Sequence, residues 1–162
     1  MIKLLRIDDR LIHGQVAVMW VAFVGADTIV VANDVHAKSP VLTMTLGLGK
    51  PPGTTLVVKT VSDAVTYLND PTNQQRKIFV VVDSLADAHA LIDLCPEIAA
   101  VNIGGIRSAS GKRRIGLQVF LNESDIQHAK GIAEKKPIYM QAKPDEKKVE
   151  LDSVISLWEK AT

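Results

Sequence analysis

Continuous runs of β-branched apolar residues recur along this chain, separated by stretches with apolar residues at helical spacing. IKLLRI (2–7), DTIVVAN (27–33), TTLVVKT (54–60), KIFVVVD (77–83), IAAVNIGG (98–105) and GLQVFLN (116–122) read as strands, with PIYMQA (137–142) a further candidate. Strands that lack an in/out alternation are covered on both faces, as in a parallel sheet. The helical pattern lies in HGQVAVMWVAFVG, DVHAKSPVLTMTLGLG, TVSDAVTYLND, SLADAHALIDLC, ESDIQHAKGIAEKK and a closing EKKVELDSVISLWEKA. This alternation predicts an α/β fold, an open, largely parallel sheet with helices on both faces.

Punctuation agrees with that division. Gly25, Gly53, Pro71 and Pro137 fall between elements, and Ser62, Ser84 and Asn122 fall near helix starts. Pro40 fits either the first turn of one helix or a break between two. No repeat or linker interrupts the pattern, so residues 1–162 read as one domain. A hydrophobic content of 47% supports a real core, and a net charge of +1 excludes a strongly basic nucleic-acid binder or an acidic disordered chain. Cys95 is the only cysteine, which leaves no disulfide and no thiolate cluster; it reads as a buried core residue, compatible with a reducing cytoplasm. The longest uncharged apolar run, 16–26, is shorter than the roughly 20 residues of a membrane span, and the start of the chain lacks a signal-peptide pattern. These features predict a soluble protein that meets a membrane only through a partner. Met19, Trp20, Phe23 and Met44 read as core packing.

Ligands of an open α/β sheet bind outside the carboxyl ends of its strands. RIDDRLIHGQV (6–16) sits at such an end, between the first strand and the first helix. With that helix at about Gly14 to Phe23, His13 lies at or just before its first turn. The free amides of Gly14, Gln15 and Val16, together with the helix dipole, make an anion site there. Arg6 and Arg10 add planar forks suited to phosphate. Positive surroundings disfavour a protonated imidazole and keep the neutral nucleophile that attack on phosphorus requires. Asp8 and Asp9 oppose that field. Their best use is to fix an arginine or to hold one ring nitrogen of His13, so that the other faces the reaction. Gly14 lets a bulky group approach the backbone. The competing reading of this stretch is a solvated turn with an Asp cap and a surface ion pair.

The same residues resemble a known family. R-I-D-D-R-x-I-H-G-Q is the motif near the start of IIB components of the mannose-type (mannose/fructose/sorbose/N-acetylgalactosamine) branch of the bacterial sugar phosphotransferase system, and Arg6 through Gln15 match it in order. IVVANDV (29–35), KPPGTTLVV (50–58) and VNIGGIR (101–107) are similar to further family segments, so the resemblance spans nearly the whole chain. It implies a protein-phosphohistidine–sugar phosphotransferase. His13 would accept a phosphoryl group from a phosphorylated IIA component and pass it to a sugar crossing the membrane through IIC and IID. It also implies that Arg6 and Arg10 stabilise the phosphate, that Asp8, Gly14 and Gln15 support the loop, and that no cofactor and no metal is needed. The implied location is cytoplasmic, held at the inner face of the membrane by IIC and IID. Departures are Ile106 where methionine is usual, Ala32-Asn33 where serine-aspartate is common, and the variable SASGKRRIG (108–116). They bear on the sugar and the partner surface rather than on the nucleophile.

Other polar residues read more plainly. His36 follows the second strand and can share the rim with His13, whereas His89 and His128 lie in helical stretches with no metal-ligand spacing. Arg107, Lys112, Arg113 and Arg114 form the densest positive segment, either a solvated loop or a docking surface for an acidic partner, with Arg107 a candidate near the phosphate. NIGG resembles a fragment of a glycine-rich phosphate loop, but neither nucleotide-binding fingerprint occurs. A response-regulator-like domain needs an aspartate at the end of strand three, where this chain has Lys59 and Thr60. A non-catalytic module that binds a phosphorylated partner or metabolite is the remaining alternative.

Overall fold

In the computed structural model, which describes residues 1–161, the apolar runs lie side by side as predicted. Strands β1 (Ile2–Asp8), β2 (Thr28–Ala32), β3 (Thr55–Lys59), β4 (Ile78–Val82), β5 (Val101–Gly105), β8 (Ile138–Met140) and β9 (Val149–Glu150) form one sheet in the order β3-β2-β4-β1-β5-β8-β9. Every pairing is parallel except that of β9, which runs antiparallel to β8. Helices α1 (Gly14–Val24) and α3 (Pro40–Leu48) cover one face, packing Trp20, Val21 and Leu46 on Leu4, Ile29 and Phe79. Helices α4 (Val61–Asn69), α5 (Leu85–Leu94), α6 (Glu123–Ala133) and α7 (Leu151–Lys160) cover the other, over Leu5, Ile7, Val30, Val80 and Ile103. Successive residues of one strand thus enter two different cores. That is why the runs are continuously apolar.

Local chemistry sets the helix ends. Asn33, Ser39, Ser84 and Asn122 cap α2 (Asp34–Ala37), α3, α5 and α6 with side-chain oxygens. Thr60 rather than Ser62 caps α4, accepting from the amide of Asp63. Pro40 does both things the sequence allowed: the segment breaks into two helices, and Pro40 opens the second. Cys95 is buried, and burial pushes its thiol up to about 11.

Three expectations fail. GLQVFLN contributes only β7 (Phe120–Leu121), which pairs with β6 (Arg113–Arg114) in a separate antiparallel ribbon. Ile115 donates to the carbonyl of Val119 and so closes a tight turn, which leaves Leu117 86% exposed and no length for a core strand. The closing helix starts only at Leu151, because Val149 and Glu150 instead pair with β8 and cover its open edge. Phe23 and Met44 are exposed at 62% and 65%, since the faces of α1 and α3 that meet the sheet are already filled by Trp20, Val21 and Leu46. Met19 is half-buried, and Trp20 is fully buried as expected. His89 and His128 are half-buried and meet where α5 packs on α6, Nδ1 to Nδ1 at 3.1 Å. No helix among the described residues is long and apolar enough to cross a membrane.

β1 and β4 are neighbours, yet the helices that follow them leave to opposite faces of the sheet. A crevice opens between two such strands at their carboxyl ends. The β4 side of that rim carries Asp83, which accepts a 2.6 Å hydrogen bond from Asn33, and Asp87 behind it. Burial first, then the charge of Asp83, pushes the Asp87 carboxyl up to about 6. Its folded value lies above its unfolded one, so the folded state keeps a proton that the unfolded state has already lost. The stability this provides is full at low pH and is lost as pH rises through about 6. Asp87→Asn is therefore expected to stabilise the protein at pH 8 by about 1 kcal/mol, discounted for partial exposure. Thermal melts at pH 8 and pH 4 check it, the gain fading at the lower pH.

Candidate functional site

The loop between β1 and α1 is held in an uncommon backbone form. Leu11 has φ 59° although it is not glycine, and Gly14 has φ 48°. Burial of the Leu11 side chain and a 2.8 Å bond from its amide to the carbonyl of Asp8 hold that residue in place. Gly14 is thus needed for the backbone turn itself as well as for the open space around it. His13 is the residue before the first turn of α1. No side chain caps this helix and no acid lies in its first turn, so its free amides face the rim.

Under the loop lies a buried set of charges. Asp8 Oδ2 accepts from Arg6 Nη2 at 3.0 Å and meets His13 Nε2 at 3.1 Å, while Asp8 Oδ1 accepts from the Arg10 amide at 3.2 Å. Asp8 therefore does both of the things considered for it, fixing an arginine and holding a ring nitrogen. The side chains of Arg6 and Asp8 are 4% and 3% exposed, whereas that of His13 is 25% exposed. Arg6, expected at the phosphate, is turned inward beneath Asp8. Its Nη1 donates to Asn102 Oδ1 at 2.6 Å and to the Gln141 carbonyl at 3.2 Å, and its guanidinium carbon lies 5.0 Å from the centre of the Trp20 ring. Burial draws Arg6 below its ordinary value, against the opposing pull of Asp8. Arginine remains charged even so.

The sheet builds this arrangement strand by strand. In register, Arg6 lies beside Asn102 of β5, and Asn102 lies beside Tyr139 of β8. A Cβ on Gly104 would fall on the Arg6 guanidinium, so only glycine leaves room there. Asn102 Nδ2 donates to the Gln141 carbonyl at 3.0 Å, and Trp20 Nε1 donates to the Ala142 carbonyl at 3.0 Å. Of these partners, Asn102 and Gly104 were visible only as part of VNIGG, and Trp20 only as core. The carbonyl of Gln141 leaves no mark in a sequence.

The exposed members are Arg10, Gly14 and Gln15. The Arg10 side chain is exposed and makes no hydrogen bond or ion pair among the described residues, and Arg10 lies three positions before His13 in the same loop. Asp9 does not face His13. It accepts from the Arg107 amide at 2.8 Å and from Arg107 Nε at 3.2 Å, tying the loop after β5 to the loop between β1 and α1. His36 Nδ1 contacts Asn33 Oδ1 at 2.9 Å on the β2 side of the rim. The basic segment is partly spent on structure: Lys112 pairs with Asp125 at 3.1 Å, and Arg113 stacks over Trp158 at 4.4 Å.

An imidazole with one nitrogen fixed, at an uncapped helix mouth and in a loop that also carries the unpaired guanidinium of Arg10, suits a carrier of an anionic group. The family model for the sorbose-subfamily IIB component of the phosphotransferase system matches residues 2–161. The chain belongs to that family. A probable phosphotransferase enzyme IIB component from Streptococcus pyogenes serotype M6 is 34% identical, the match covering 96% of this chain and 100% of that protein. The sorbose-specific EIIB component of Klebsiella pneumoniae is 34% identical over 78% of this chain and 77% of its own. The crystal structure of the IIBSor domain of the Klebsiella pneumoniae sorbose permease superposes with a TM-score of 0.91 at 29% identity, covering 96% of this chain and 97% of that one. This IIB component is a sugar phosphotransferase of the uptake system, with the α/β fold of its relatives.

The buried pair gives a direct test. Arg6→Met leaves Asp8 without its cation and is expected to cost about 3–5 kcal/mol of stability. Arg10→Met, at an exposed position, should change stability by no more than about 0.5 kcal/mol. Urea denaturation of both variants checks the contrast.

Proposed function

We propose that His13 carries the phosphoryl group, bonded through Nδ1, between a phosphorylated IIA component and a sugar presented by IIC and IID at the inner face of the membrane. The observation that supports this most directly is the 3.1 Å contact between His13 Nε2 and Asp8 Oδ2. A carboxylate there accepts the Nε2 proton, selects that tautomer, and leaves the Nδ1 lone pair for attack.

In the first step Nδ1 attacks phosphorus while the phosphorus–nitrogen bond of the donor phosphohistidine breaks. The electron pair of that bond returns to the donor ring. The His13 ring gains positive charge as its bond to phosphorus forms, and Asp8 balances it. In the second step a sugar hydroxyl oxygen attacks phosphorus, the bond to Nδ1 breaks, its electrons return to the ring, and the hydroxyl proton leaves to solvent or a nearby base. Phosphoryl transfer through a loose transition state asks chiefly for positioning and charge stabilisation. Arg10 and the α1 amides supply positive groups for the three phosphoryl oxygens, while Arg6 acts from below by holding Asp8. Gly14 keeps the approach open.

Incubation with phosphoenolpyruvate, the general phosphotransferase proteins and a IIA component should label the chain once, in acid-labile form. The label is expected on His13 Nδ1 and should be lost in His13→Ala. Full labelling of that variant would overturn the reading. Arg10→Ala is expected to slow transfer by about 100-fold with the fold intact, as removal of an electrostatic stabiliser typically does; single-turnover labelling measures it.

A further inference from the structure

Asn102 is fully buried and its side-chain hydrogen bonds go to Arg6 Nη1 and to the Gln141 carbonyl, not to His13. Its orientation is fixed by its neighbours. The oxygen faces a guanidinium donor and the amide faces a carbonyl, and a flip would set donor against donor and acceptor against acceptor. Of the two acceptors on that edge of Arg6, the Asn102 oxygen is the nearer to Nη1, at 2.6 Å against 3.2 Å for the Gln141 carbonyl. The far edge of the same guanidinium, Nη2, is what Asp8 Oδ2 shares with His13.

We infer that Asn102 is a positioning residue for phosphoryl transfer: it locks Arg6 so that Asp8 Oδ2 stays on His13 Nε2 and Nδ1 alone is presented to phosphorus. The inference rests on the reading of His13 as the acceptor. Without the Asn102 oxygen, the guanidinium can turn about its stem and Asp8 can follow it. A neutral imidazole released from Asp8 populates both tautomers, and either nitrogen then attacks. Asn102 reaches the reaction only through Arg6 and Asp8.

The experiment phosphorylates wild type, Asn102→Ser and Asn102→Leu from phosphorylated IIA. Phosphorus and nitrogen NMR assign the labelled nitrogen of His13, and single-turnover kinetics give the maximal rate and the donor concentration at half-maximum. Wild type should carry phosphate on Nδ1 alone. Both variants should carry a mixture of Nδ1 and Nε2 phosphate, with the maximal rate lower by about tenfold or more, as small misplacements of reacting groups produce. The half-saturating donor concentration should not move, because Asn102 is buried. Phosphate confined to Nδ1 at the wild-type rate overturns the inference, and so does a variant that only melts earlier with unchanged regiochemistry. If neither variant folds, wild type still decides: nitrogen NMR should show His13 as the Nε2–H tautomer and Arg6 with hindered guanidinium rotation, and either mixed tautomers of His13 or a freely rotating Arg6 guanidinium overturns it. Label on a residue other than His13 in wild type brings down the acceptor reading as well, which separates the two failures.

Discussion

A guanidinium and a carboxylate, 3.0 Å apart and almost without access to water, lie at the carboxyl end of β1. Taking both ions from water costs several kcal/mol each, and a hydrocarbon pair of the same size is often the more stable choice. The fold compensates with a full set of partners. Asn102, the Gln141 carbonyl and the Trp20 ring serve Arg6, while the Arg10 amide and His13 serve Asp8. Those contacts fix the geometry of the pair. Here the geometry ends in one imidazole whose Nε2 is engaged while the ring keeps access to solvent.

Much of this was legible in the order of residues. Apolar runs buried on both faces gave away the parallel sheet, and Asp8, Arg10, His13 and Gly14 sat within a few positions of one another at a strand–helix junction. What could not be read depends on distance along the chain. Asn102 and Gln141 lie 96 and 135 positions from Arg6 and reach it only because β5 and β8 fall beside β1. Nothing in a run such as RIDD tells whether its first arginine points outward to a ligand or inward to a neighbouring strand. Gly104 decides that, and its meaning emerges only when the strand register is known. Phe23 and Met44 mislead for the opposite reason. Their helical spacing matches a core pattern, but Trp20, Val21 and Leu46 had already filled the available face.

The chemistry is divided between layers. Arg10 and the open α1 amides lie at the surface; Arg6 and Asp8, the pair that holds one ring nitrogen of His13, lie beneath them. Asp9 belongs to neither set, since it braces the β1–α1 loop against the loop after β5 through Arg107. His13, Asn33 and Asp83 follow the carboxyl ends of β1, β2 and β4, which lie side by side in the sheet, and Asn33 and Asp83 are joined by a hydrogen bond.

The partners of Arg6 come from β1, α1, β5 and the residue that follows β8, so their assembly spans most of the ribosome's work on this chain. A nascent or half-unfolded polypeptide exposes the same histidine but lacks the brace behind it. The full set of contacts behind the imidazole is therefore a property of the completed sheet, closed only when the last parallel strand lies in place.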